Sequence, residues 1–177
     1  IRRQRQMCIR DSTIILDPKQ LQTFIKAFGN SSVAYVISHE FAHALQKALE
    51  IRLRNPNHEL QADCLAGYFL QMGNKELDIT RENILEMASA AYAIGGETHG
   101  TGAQRAYALL SGMGRVDSTC SIASIDKLVE GKINFFISIV KVKPGRQYGI
   151  KMKSSSRYFF KSDSLLCEIA FAIVAVE

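Results

Sequence analysis

The chain reads as an α+β protein, a mainly α domain with a short N-terminal strand, followed by a small β-rich C-terminal appendage. Three observations predict this. Apolar residues recur at helical spacing from Asp17 to Met113, in segments bounded by Asp, Thr, Pro and Gly. The residues ahead of them, Thr13 to Leu16, are rich in β-branched side chains. Beyond Met113 short apolar runs alternate with turn signals such as "PGR" and "SSSR". With 177 residues and 47% apolar content, the chain can bury one core and a small second unit.

Taken in order, "TIIL" forms the entry strand, an edge that could pair with an extended peptide backbone. "DPKQLQTFIKAFG" is a helix with Asp17 as cap, Pro18 at the first position and Gly29 at the stop. "NSSVAYVISHEFAHALQKALE" is the next, with Val33, Ile37, Phe41, Ala44, Leu45 and Ala48 as its core stripe and Asn30-Ser31-Ser32 as its cap rather than a glycosylation acceptor. "NPNHELQADCLAGYFLQMG" follows, opened by Pro56 and Asn57 and closed by Gly73. "TRENILEMASAAYAIGG" runs from the Thr80 cap to Gly95, and Thr101 with Gln104 forms a capping box for a last helix. The strands expected after Arg115 are "INFFISIVKVK", "QYGIKMK" and "LLCEIAFAIVAVE".

The second helix carries "SHEFAHALQ". At about 100° per residue, His39 and His43 lie roughly 40° apart, Glu40 sits on their flank, and Phe41 points the other way. H-E-x-x-H offers two imidazoles to one metal ion, with a glutamate able to reach a water bound to it. A hydrolytic zinc site needs a third protein ligand and one open position. Glu59 and Asp63, again i and i+4 on a helix, supply one carboxylate to bind the metal and one to hold a ligand imidazole by its free N–H. Glu59 is the expected ligand and Asp63 the orienting acid. His58 is the rival ligand, expected instead as an exposed first-turn residue. The plainer reading of the two acids, as partners of the helix dipole, loses weight only beside H-E-x-x-H.

"VISHEFAHALQ", "ELQADCLAGYF" and "HGTGAQRAYALLSGM" resemble, in order and spacing, the bacterial neutral zinc metallopeptidase family, whose glutamate ligand lies downstream as in thermolysin-like gluzincins. The resemblance spans about Thr13 to Met113 and includes "IILDP". It implies a zincin-like fold with Zn2+ on His39, His43 and Glu59, Glu40 as catalytic base, and protein or peptide substrates. By position in the "HGTGAQR" stretch, His99 is the expected donor to the oxyanion of the tetrahedral intermediate, and a turn residue on the plainer reading. Arg105 is read as anchoring an acidic neighbour. The resemblance also suggests a partner for Cys64 near Cys8, but Cys64 as a small buried hydrophobe serves equally well.

The domain organisation expected is a non-native leader over 1–12, a metallopeptidase domain over 13–114 and the β-rich appendage over 115–177. "RQMCIRD" in the leader resembles the translation of a sequencing adaptor. Family members often carry an N-terminal membrane segment, so membrane association through a missing upstream part is an expectation of the resemblance alone, as is an extracytoplasmic location. From Lys141 to Lys161 the chain has seven basic residues, no acid, and Tyr148, Tyr158, Phe159 and Phe160 between them. This supports a second function of a different class: a non-catalytic zinc-containing protein binding nucleic acid or an anionic membrane through a basic hairpin. A solvated hairpin face is the commoner cause, so nucleic acid is not favoured. The intact Glu40 favours the peptidase, because a structural zinc needs no acid beside an open position.

Overall fold

A computed structural model describes residues 14–133 in full and the backbone of two short strands beyond them. The order is α1 Pro18–Phe28, α2 Ser31–Ala48, α3 Asn57–Met72, α4 Asn74–Leu77, α5 Arg81–Ala93, α6 Gly102–Gly112, α7 Ile122–Val129, β1 Ile137–Lys141 and β2 Tyr148–Met152. Among the described residues the fold is a helical assembly, which corrects the α+β expectation. The entry strand is absent, since residues 14–17 take no regular structure and Ile15 is exposed. β-branched composition alone forms no strand without a partner to take its backbone hydrogen bonds. The β-rich appendage is corrected as well. The chain after Arg115 first forms α7, and its only strands among the described residues are one antiparallel pair from Ile137↔Met152 to Lys141↔Tyr148. The leader with Cys8, the third expected strand and most of the basic, aromatic run lie outside the described residues.

Side-chain caps place several helix ends where the sequence put them. Asp17 accepts from the Lys19 backbone N–H, Thr80 pairs with Asn83 in a capping box, and Thr101 pairs with Gln104 in another. α2 starts differently. Asn30 makes no side-chain cap; Glu86 of α5 accepts the Ser31 N–H at 3.0 Å instead. The Glu86 carboxylate lies against Gly29, whose φ of +100° and missing side chain leave room for it.

α3 is the centre of the assembly, buried continuously from Leu60 to Gly67 and packed between α2, α6 and α7. It meets α6 backbone to backbone. A Cβ on Gly67 would collide with the Leu109 carbonyl, and one on Gly112 with the Cys64 carbonyl. One apolar cluster joins Tyr35 and Val36 of α2, Leu60 and Leu70 of α3, Met87 of α5, Leu109 of α6, and Ile125 and Leu128 of α7. A disulfide links Cys64 to Cys120, so Cys64 is not the free hydrophobe expected.

α2 is turned from the sequence expectation, with Val33, Ala44 and Leu45 of the expected stripe only half-buried. Ile37, Phe41 and Ala48, read as part of the core stripe, are exposed, while Tyr35, His39, Glu40 and Gln46 face inward. Burying a polar face is tolerable only where partners satisfy it, and α3 presents Glu59, Gln61 and Asp63 to it. Phe41 recovers some burial by an edge-to-face contact with Phe69, ring centroids 5.1 Å apart. No helix among the described residues is long and apolar enough to cross a membrane.

Candidate metal centre

His39 and His43 are one turn apart on α2, and their Nε2 atoms lie 3.1 Å from each other. Glu59, in the first turn of α3, brings Oε2 to 3.3 Å from His39 Nε2 and 3.6 Å from His43 Nε2. A small divalent cation held at about 2.1 Å by a tetrahedral donor set spaces its ligand atoms by about 3.3–3.4 Å. The three separations fit that figure. His39, His43 and Glu59 thus form a triad able to hold a metal ion, the set expected from the sequence.

The other ring nitrogens show which way the lone pairs point. His43 Nδ1 donates to Gln46 Oε1 at 2.8 Å. His39 Nδ1 lies 2.8 Å from Asp63 Oδ1, although its N–H is not aimed along that line and forms no hydrogen bond in this geometry. In their neutral forms with the proton on Nδ1, both imidazoles turn an Nε2 lone pair to the small volume that the Glu59 carboxylate also faces, and at His39 a bound cation would take the place of the second ring proton. Burial disfavours a charged ring at His39, but the Asp63 and Glu59 carboxylates outweigh it and hold its pKa up at about 9. Burial likewise opposes charge on Glu59, yet the two imidazoles pull its pKa well below the usual carboxylate range.

Asp63 has no solvent exposure and four polar contacts. Besides its close approach to His39 Nδ1, it accepts from Tyr35 Oη at 2.7 Å and from Arg105 Nη2 at 2.9 Å through Oδ1, and from Arg105 Nε at 2.7 Å through Oδ2. Burial would raise its pKa, but the Arg105 guanidinium and His39 hold it down to about 2. Arg105 therefore faces Asp63, the acidic neighbour it was expected to have. It also donates from Nη2 to Tyr35 Oη and from Nη1 to the Ile94 carbonyl.

Glu40 is buried beside His39, and desolvation raises its pKa while the nearby imidazoles pull it down. His58 is not the exposed residue expected: its ring stacks on His43 with centroids 4.8 Å apart and planes 20° off parallel. His99 lies in the turn bridged by Gly96 and Gly100, where its Nδ1 meets Thr98 Oγ1 at 2.7 Å; its contact is with the turn, not the triad. Gln46, Gln61 and Tyr35 were not singled out in the sequence. The signal for Gln46 was its place: three residues after His43, it shares the face of His39 and His43 at about 100° per residue. Comparison with family models, curated proteins and solved structures finds no match.

Proposed function

We propose that the chain is a zinc-dependent peptidase. The observation that carries this reading is the triad itself: two imidazole nitrogens and a carboxylate oxygen 3.1 to 3.6 Å apart, on two packed helices, with Glu40 buried one residue along from His39. Nitrogen and carboxylate donors in this number suit zinc with one position left open. Zinc held there by His39, His43 and Glu59 would supply a polarised water and a Lewis acid for a peptide carbonyl. Glu40, buried next to His39, would serve as the general base that takes up a proton there and the acid that gives it back to a leaving amine. Its partial burial fits it for both duties by raising its affinity for the proton above that of a solvated carboxylate. Asp63, fixed by Arg105 and Tyr35, sets its carboxylate 2.8 Å from His39 Nδ1. The sequence likeness to the neutral zinc metallopeptidases points the same way.

The test is metal content together with casein or peptide hydrolysis, for wild type and Glu40→Gln, with and without a chelator. Wild type is expected to hold about one zinc per chain and to lose hydrolysis on chelation. The Gln variant keeps the shape and removes the base, so it should retain the metal and lose at least about 100-fold in rate. Hydrolysis that survives the chelator, or the Gln substitution, would overturn the reading.

A further inference from the structure

Resting on that zinc reading, we infer that Gln46 is a positioning residue that fixes which nitrogen His43 turns toward the metal. Gln61 Nε2 donates to the Cys120 carbonyl at 3.3 Å, which leaves Gln61 Oε1 as the acceptor on its other side. Gln46 Nε2 donates to that oxygen at 3.0 Å and to the His58 carbonyl at 3.0 Å. Both amide protons of Gln46 are then committed, and turning its amide over would set oxygen against two acceptors. Gln46 Oε1 is the atom that remains for His43 Nδ1 at 2.8 Å, and it can only accept. His43 must carry its proton on Nδ1 and offer the Nε2 lone pair toward His39 and Glu59.

The series is directional at every step and fully buried at Gln46. It runs from Cys120, which the disulfide joins to α3, through Gln61 of α3 to α2. It therefore sets a neutral amide oxygen against His43 Nδ1 at 2.8 Å, where His39 Nδ1 has the Asp63 carboxylate at the same distance. A polar partner behind a ligating imidazole typically accounts for about 10- to 100-fold in metal affinity.

The experiment compares zinc affinity, by competition with a chelating dye, for wild type, Gln46→Leu and Gln46→Glu, with urea unfolding of each metal-free protein beside it. The Leu variant removes the acceptor and is expected to bind zinc about 10- to 100-fold more weakly. The Glu variant keeps an oxygen for His43 but loses both donated hydrogen bonds. It should lose stability yet bind zinc closer to wild type than the Leu variant does. A role confined to packing predicts the opposite, with affinity falling in step with stability in both. In zinc-loaded wild type, long-range proton–nitrogen NMR should show His43 protonated on Nδ1, with slow exchange that becomes fast in Gln46→Leu. Equal affinities for wild type and Gln46→Leu, or a His43 proton on Nε2, would overturn the inference and leave the zinc reading standing. Wild type that binds no zinc would overturn both, and is recognised before any variant is made.

Discussion

At the scale of single residues, the two histidines of the candidate metal triad were legible because they obey a local rule: side chains four apart on a helix share a face whatever else the protein does. The residues that hold them were less so. Asp63 could be paired with a histidine by its spacing from Glu59, but that it also meets Tyr35 and Arg105 depends on α2, α3 and α6 coming together. On the zinc reading, Asp63→Asn should weaken zinc binding by about 10- to 100-fold, since it removes the charge beside His39 Nδ1 without removing a ligand. Glu59→Ala should lose the metal more completely. Equilibrium dialysis ranks the two, and the reverse order would make Asp63 the ligand. Arg105→Leu leaves the Asp63 carboxylate buried without its cation and should cost about 3–5 kcal/mol of stability, read from urea unfolding. A loss under 1 kcal/mol would mean that Asp63 finds other compensation.

At the scale of elements, helix ends with their own caps were readable, and faces were not. Thr80 and Thr101 announce helix starts because their partners lie within one turn. The start of α2 depends on Glu86, 55 residues away from Ser31, so no local pattern could show it. The inward face of α2 is hidden from the sequence for a similar reason: hydrophobicity alone predicts Ile37, Phe41 and Ala48 inward, whereas the buried face mixes Tyr35, Val36 and Ala42 with His39 and Gln46, whose polar atoms meet partners on α3. α7 was missed although its signs were present, with Ser121 as cap, Ile122, Ile125, Leu128 and Val129 on a helical repeat, and Gly131 after its end. The crossing of α3 and α6 gives an element-scale test. Gly67→Ala must push α6 away from α3, and with it Arg105 away from Asp63, so both melting temperature and zinc affinity should fall. Gly96→Ala, which meets open space, should change stability by less than about 0.5 kcal/mol. Equal effects of the two would show that the close approach is not what sets the helix register.

At the scale of the whole molecule, residues on both sides of position 114 share one core, since Ile125 and Leu128 of α7 pack into the same cluster as Leu109 and Leu60. A chain ending at Met113 would lose those side chains, Cys120 and the carbonyl that orients Gln61. It is expected to melt well below the full chain and to bind zinc more weakly; a truncated chain of unchanged melting temperature and affinity would show that α7 is dispensable. The disulfide adds to this by restricting the unfolded chain, an effect of about 2–4 kcal/mol for most such links. Its partner was not legible because a cysteine pairing is decided by the fold, not by spacing.

That link also gives the molecule a covalent ring. The ring contains α4, α5 and α6 and the exposed stretches at 75–78 and 95–98. On the proposed reading the chain is a substrate for its own activity, and such stretches are where a backbone is nicked first. A cut at either place opens the ring without releasing a fragment, since both new pieces stay joined through Cys64 and Cys120. Nicked protein should migrate near full length on a denaturing gel without reductant and separate into two pieces with it. Glu40→Gln stored beside it should give one band in both lanes.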